Sequence, residues 1–389
     1  MGVTSNLRTW IHRRFIFLLF AAYVLAALIP SPGLWLKGLD WKISPLNDAS
    51  ISSGLIMLGI LLFNAGFSVS KEHLKALQTR PTVSLLGIFG KSLLAIFWIG
   101  SLLMALTLDL SSIWISMLAG FAIVSIMPVA TSSTAWSQQT NANVALSLGL
   151  LLLTTAMLPV ILPILDWMIQ HLPADLKPGA GLESTKSFDL LFIFIWIILP
   201  IFSGQFFRLI VGSKYRHRVS AGIKWINAIN LLLLNYMHGS SFLPERIRSF
   251  EPASMLLLLM GVSVCCILAF GVGAILGKAF RIAFPEKLAL MFGTGMNNNG
   301  MALVLASQFL GASGWIGLTI ALCTFGQHLV AAGVQILFGK SPNEVVHETA
   351  EEEKLSKPSG LKTDQKLDHR HKSQPDLLTK NTETHHSAS

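Results

Sequence analysis

From Arg14 to Gly339 the chain runs through long apolar stretches separated by short polar joints. The stretches approach the roughly 20 mainly apolar residues a helix needs to cross a bilayer core. Boundaries placed at charged residues, Pro and Gly predict helices near 14–36, 51–70, 82–107, 112–136, 143–169, 187–212, 225–243, 253–281, 286–311 and 313–339. The predicted fold is an all-α polytopic membrane protein of about ten transmembrane helices. The pattern ends abruptly at Lys340. Residues 340–389 are rich in Lys, Glu, Asp, Ser, Thr and His and nearly devoid of large apolar side chains, so a disordered tail is expected there.

The joints carry the topology. Arg8, Arg13 and Arg14 precede the first helix, Lys71, Lys75 and Arg80 follow the second, Lys214, Arg216, Arg218 and Lys224 follow the sixth, and Lys278, Arg281 and Lys287 flank the joint after the eighth. Joints on the other side hold only Lys37, Lys42, Lys177, Lys186, Arg246 and Arg248. By the positive-inside rule, residues 1–13 and the 340–389 tail lie in the cytoplasm. Residues 14–339 then form the transmembrane domain, in the plasma membrane or, in a bacterium, the inner membrane. Ten helices divide five and five, and an odd number per half turns the second half (about 187–339) upside down relative to the first (about 14–169). Inverted repeats of this kind are a transporter architecture.

Composition narrows the class. With 52% hydrophobic and 13% charged residues the chain is unlike soluble domains, which carry about a quarter charged residues. The formal charge of +9 does not point to nucleic acid, because the tail holds eight basic against nine acidic residues and the excess lies in the membrane domain. Lipid is the expected surrounding partner; the oligomeric state is not legible. Cys265 and Cys266 are adjacent in one apolar run and Cys323 lies in another, which fits packing rather than disulfides or a thiolate metal site. The first run, Phe15 to Leu36, exceeds a signal-peptide core and lacks a small-x-small cleavage site, so it is expected to stay as a helix. No redox-cofactor motif or nucleotide fingerprint occurs, so no cofactor is expected. His238-Gly239-Ser240-Ser241 lacks the bracketing glycines of a nucleophile elbow, and His385-His386 read as solvated tail residues.

Candidate chemistry gathers at two interruptions. Met127-Pro128-Val129-Ala130-Thr131-Ser132-Ser133-Thr134 breaks the fourth helix of the first half, and Gly293-Thr294-Gly295-Met296-Asn297-Asn298-Asn299-Gly300 breaks the fourth of the second. Pro128 removes a backbone donor, and Gly293, Gly295 and Gly300 relax the backbone, so carbonyls and side chains are released toward a ligand. Corresponding breaks in corresponding helices point to a binding site. For one break alone, a kinked helix whose Ser and Thr bond back to their own backbone is the plainer reading. Three consecutive asparagines at membrane depth favour a site, because each amide needs partners where water is absent. Lys91 stands ten residues beyond Pro81, roughly 15 Å into a core about 30 Å thick. Its insertion costs on the order of 3 kcal/mol. It is either a structural cation folded onto backbone carbonyls or a fixed positive charge at the site. Asp109, Asp166 and Asp189 all fall near helix ends, so the embedded charge is basic and favours an anionic ligand. His328, beside Gln327 in the last helix, binds substrate, carries a proton, or is a neutral histidine satisfied by the bundle. Gln138, Gln139, Asn141 and Asn143 are expected at the cytoplasmic end of the crossing.

Three stretches together resemble the bile acid:sodium symporter family: Gly59 to Val69 with Arg80-Pro81, Pro128 to Thr134 with Asn143 to Ser147, and Gly295 to Gly300. The similarity follows the whole membrane domain in order and spacing, the tail excepted. It implies a panel domain and a core domain with crossed discontinuous helices. By the resemblance, Ser133 and Ser147 match sodium-ligand positions, Thr134 stands for a usual asparagine and Asn297 for a usual glutamine. Thr131 and Asn298 match substrate contacts, and His328 matches a substrate-side histidine to within one position. Three departures bear on coupling. The family's glutamate falls on Gly293, the glutamine of its second sodium site falls on Lys91, and Leu151 replaces a usual hydroxyl. An ammonium competes with a cation for that place, which sets the residues against the sodium that the resemblance implies.

The sequence therefore predicts a secondary transporter of a small organic anion working by alternating access, not an enzyme. Thr131, Asn298, Asn299, His328 and Lys91 are assigned to substrate, and Ser133, Thr134, Ser147 and Asn297 to positions like ion sites. A sodium-independent or proton-linked carrier of the same fold is one alternative, and a membrane-embedded anion receptor is another.

Overall fold

The computed structural model describes residues 2–42, 50–68, 70, 75, 77–140, 142–176, 190–249, 251–310 and 314–338. The expected tail with its histidines, and Lys71, Asn141, Lys177, Lys186 and Asp189, lie outside the described residues. Helix dominates what is described. α1 (Gly2–Leu28) stops where Pro30 withholds an N–H, and the chain turns by 95° into α2 (Ser31–Lys37). The antiparallel strands β1 (Asp40–Lys42) and β2 (Ser50–Ser52) lead into α3 (Ser53–Ser68). α4 (Pro81–Thr107) begins on a proline, whose missing N–H no helix start requires. α5 (Ser112–Ile126), α6 (Ser132–Gln139) and α7 (Val144–Ala156) follow, and α8 (Leu158–Gln170) bends from α7 by 55°. α9 (Leu191–Ile210) carries a π-helical turn over Phe194–Ile198, just ahead of Pro200. The last five helices are α10 (Ser213–Arg248), α11 (Pro252–Ala279), α12 (Phe284–Gly295), α13 (Asn299–Leu310) and α14 (Gly314–Phe338).

Four of these helices, α4, α9, α11 and α14, are long and apolar enough to cross a membrane, and the bent pairs α1/α2 and α7/α8 raise the number to six. α3, α5 and α13 are apolar but shorter. Outward positions are themselves apolar: Leu85, Ile96, Phe202, Met260 and Ile275 are exposed. A surface of that kind is at home in lipid, and the chain is an integral membrane protein.

Several predicted boundaries move. The first predicted helix is two helices around Pro30, the second starts only after the strand pairing of Ser50–Ser52, and 143–169 divides at Met157. The seventh extends over Ser213–Arg248, so Arg216, Arg218 and Lys224 lie within a helix instead of a joint. Lys and Arg are good helix formers, and charge alone is no breaker.

Small residues set the closest helix contacts. A side-chain carbon on Gly66 of α3 would stand 2.0 Å from the Ile201 carbonyl oxygen, and one on Gly204 of α9 would stand 2.1 Å from that of Phe63. The two helices therefore meet backbone to backbone, the arrangement small residues permit in membranes. Gly273 of α11 gives α12 the same closeness, 2.7 Å from the Met291 Cα. As a result Leu288, Leu290, Phe292 and Met296 are wholly buried, and α12 delivers its end into the middle of the protein.

Candidate functional site

α5 ends at Ile126 and α6 begins at Ser132; α12 ends at Gly295 and α13 begins at Asn299. The two gaps meet. Val129 and Asn297 pair as an isolated antiparallel bridge. On either side the Ala130 N–H donates to the Met296 carbonyl and the Asn298 N–H to the Pro128 carbonyl, both at 2.9 Å. Backbone groups released by one break are thus satisfied by the other, as a bilayer interior demands. The remaining N–H of each central residue goes to a side chain. Val129 donates to Thr154 Oγ1 of α7 at 3.0 Å, and Asn297 donates to Gln327 Oε1 of α14 at 2.9 Å. Gln327 Nε2 returns a bond to the Asn297 carbonyl at 3.2 Å.

The breaks are narrower than the sequence implies. Gly293 and Gly295 remain in the last turn of α12, and Ser132, Ser133 and Thr134 are helical. The glycines serve packing: a side-chain carbon at 293 would stand 2.8 Å from a Leu150 methyl, and one at 295 would stand 2.3 Å from the Phe270 ring. Back-bonding does occur at the first break, where Thr134 Oγ1 donates to the Thr131 carbonyl at 2.8 Å.

Thr131, Asn298, Asn299 and His328 line one cleft of about 390 Å³, the open space at its mouth included. Asn297 and Gln327 form part of its wall, and Leu61 and Leu231 face them from α3 and α10. Asn299 is 2% exposed, yet neither its amide nitrogen nor its amide oxygen has a protein partner. Buried amides are seldom left so. His328 is held by Trp136, whose Nε1–H donates to Nδ1 at 3.1 Å, while Phe15 packs edge-on at 5.5 Å. An Nδ1 that accepts places the proton of the neutral ring on Nε2, which assigns His328 the role of a donor.

Lys91 is buried at mid-helix in α4 and does not line the cleft. Its Nζ donates to Asn297 Oδ1, a side-chain amide and not a backbone carbonyl, so it acts on the cleft from behind that residue. Among the described residues no carboxylate pairs with it; the ion pairs Arg80–Glu286 and Arg246–Glu245, both at 2.9 Å, lie elsewhere. Ser133 and Ser147 are fully buried with their hydroxyls 3.4 Å apart, and they too stand outside the cleft. Leu151 packs with Ala65 and Val129. Leu150 fills the space between Gly87 and Gly293, 2.5 and 2.8 Å from where their side chains would begin. A hard cation wants several oxygen donors, usually with carboxylate charge. Here the candidate donors are three hydroxyls, of Ser133, Thr134 and Ser147, and an amide oxygen that already accepts from Lys91, with two leucines beside them. Among the described residues no three His, Cys, Asp or Glu side chains gather as a metal site.

Four contributors escape sequence reasoning: Gln327, Thr154, Trp136 and Leu150. A polar side chain mid-span needs a partner, and that signal was available for Gln327; nothing local distinguishes Trp136 or Leu150. Asn143 caps α7 by accepting the Leu146 N–H at 3.0 Å, and its own N–H reaches the Pro285 carbonyl at 2.8 Å. Gln138 is exposed, and the three cysteines are buried and unpaired.

The model of the sodium bile acid symporter family matches residues 55–275, more than half of the chain, taking in Lys91, the first break and α7 and ending before the second break. The uncharacterized sodium-dependent transporter YocS of Bacillus subtilis (strain 168) is 24% identical over 259 residues, which cover 65% of this chain and 73% of that protein. With its paired breaks and apolar helices, the chain belongs to the sodium bile acid symporter family, and it is a membrane transporter and not an enzyme.

Proposed function

We propose that the chain carries a small organic anion across the membrane by alternating access around the paired breaks. The observation that carries this reading is the bridge between Val129 and Asn297, which draws Thr131, Asn298, Asn299 and His328 to one cleft. In this reading ten spans, with both termini and the 340–389 tail cytoplasmic, form inverted repeats at about 14–169 and 187–339. The matched bonding of the breaks supports the repeat: each gives one N–H to the opposite strand and one to a side chain of a later helix. A panel and a core are supported by packing, since α1, α3, α9 and α10 pack chiefly on one another, as do α4, α5, α11 and α12, while α14 packs on both α5 and α10. The cleft lies where Leu61 and Leu231 of the first group meet the breaks of the second.

An anion suits this cleft. α6 and α13 both begin at it, and helix starts present positive dipole ends. The Asn299 amide and His328 Nε2–H add neutral donors, Lys91 adds a positive charge behind Asn297, and no carboxylate lines the wall. Sodium symport is the second reading, favoured by the family and by the hydroxyl pair Ser133–Ser147. YocS is named sodium-dependent. Against it stands Lys91, whose ammonium occupies Asn297 Oδ1 and repels a cation there.

Proteoliposomes containing the native chain or Lys91→Gln test both readings, with labelled bile acids, keto acids and sulfonates offered under sodium, potassium and pH gradients. Saturable uptake of an anion that persists when potassium replaces sodium is expected, with Lys91→Gln weakening affinity about tenfold or more. Strictly sodium-dependent, electrogenic uptake by the native chain would restore sodium symport. Saturable binding without uptake of any anion would turn the reading toward a receptor.

A further inference from the structure

Two asparagines outside the cleft are buried with idle acceptors. Asn64 of α3 is 4% exposed and Asn227 of α10 is 8% exposed, and the side-chain oxygen of each has no protein partner. Neighbours on α10 behave differently. Asn230 donates to the Met57 carbonyl at 2.9 Å, and Asn235 donates to the Leu231 carbonyl at 2.7 Å and accepts from the Tyr23 hydroxyl. Those two asparagines fasten the fold. The oxygens of Asn64 and Asn227 fasten nothing, and buried amide oxygens are seldom left without a partner. Between Ser53 and Ser68, Asn64 is the sole polar side chain of α3.

Their position relates them to the cleft. α3 and α10 run antiparallel, with the Ser53 hydroxyl 3.4 Å from Met237 Sδ and Asn230 bonded to Met57 further along. Leu61 and Leu231 line the cleft and converge on Gly300, where a side-chain carbon would stand 3.2 Å from a Leu61 methyl and 2.9 Å from a Leu231 methyl. Asn64 follows Leu61 by about one helical turn and Asn227 precedes Leu231 by about one turn. In antiparallel helices both steps lead the same way, so the two asparagines share one level, on the leucines' faces and beyond them. Along this wall the order is cleft, apolar pair, amide pair.

We infer that Asn64 and Asn227 form a second polar station for the transported solute, divided from the cleft by the Leu61–Leu231 pair, which takes a hydrogen-bond donor such as a solute hydroxyl or N–H. The inference rests on the transport reading of the cleft. The station lies toward the end of α3 and the start of α10, the side assigned to the cytoplasm. A solute leaving the Asn299 amide meets new polar partners about one turn, roughly 5 Å, past the leucines. Without them it would cross an unbroken apolar wall.

The test uses the full-length chain in liposomes, with Cys265, Cys266 and Cys323 replaced by alanine and one cysteine introduced at a time. The probe is 2-sulfonatoethyl methanethiosulfonate, an anionic, membrane-impermeant thiol reagent, added on the side that carries Lys75. Asn64→Cys and Asn227→Cys should react about tenfold or more faster than Asn230→Cys and Asn235→Cys, which are reached only when packing opens. Leu61→Ala should hasten modification of Thr131→Cys from the same side. Equal rates at all four asparagine positions, with Thr131→Cys still reactive, would overturn the station and leave the cleft standing. A Thr131→Cys that resists the probe from both sides would overturn the cleft reading and the station with it. Because the two asparagines sit on different helices, a variant that fails to fold leaves the other to report.

Discussion

At the first break the chain pauses on Pro128, and short hydroxyls do the bonding: Thr154 of α7 takes the Val129 N–H and Thr134, within the break, serves the Thr131 carbonyl. At the second break no proline is present, and longer side chains of other helices intervene. Gln327 holds the Asn297 backbone with two bonds, and Lys91 holds its side chain. Hydroxyls close to their own backbone consume their capacity locally and leave little for a ligand. Amides placed between helices leave surplus, and the two idle polar atoms of Asn299 are that surplus. The breaks share a backbone plan but differ in what they leave over: the first keeps its polar groups bonded, and the second leaves the Asn299 amide unpartnered.

Three substitutions bear on this contrast. The largest effect is expected for Gln327→Leu, which strands the buried Asn297 N–H and removes a second bond to its carbonyl. A loss of about 2 to 4 kcal/mol follows from an orphaned donor plus a forfeited hydrogen bond. Thermal unfolding of the purified protein in detergent measures it. Thr154→Val, nearly isosteric, strands the Val129 N–H alone, so about 1 to 3 kcal/mol is expected in the same assay. Should the Thr154 variant prove the more damaging, the second break would not be the one that depends more on its side-chain partner. The smallest effect belongs to Thr134→Val, which gives up a local back-bond at a half-buried position and should cost below about 1 kcal/mol. Sodium should leave the unfolding midpoint of native and Thr134→Val protein alike; a sodium-dependent rise in the native protein that vanishes in the variant would place an ion at Thr134 after all.

Much of this arrangement was legible before any coordinates. Apolar run length marked a mainly helical membrane protein, and the stretches from Met127 and from Gly293 marked both interruptions, because lipid allows irregular backbone only where other parts of the protein receive it. Lys91 stood out because an embedded charge is costly. What escaped was relational. No local pattern says that Trp136 will fix the tautomer of His328, that Thr154 will meet Val129, or that Leu150 will lie against a glycine from the other half of the chain. The glycines misled for a similar reason. Gly293 and Gly295 read as backbone freedom, whereas their use is to let Leu150 and Phe270 come close, and a sequence shows the missing side chain without showing its visitor.

Leu150, wedged between Gly87 and Gly293, also constrains what descendants of this chain can become. A carboxylate at position 293 needs room that the leucine occupies, so the acid cannot arrive first without a collision. Trimming Leu150 first opens a void that typically costs about 2 to 5 kcal/mol, a large share of a protein's margin. Either single step toward an acid at 293 is therefore uphill, and the packing holds that position to glycine for as long as Leu150 stays.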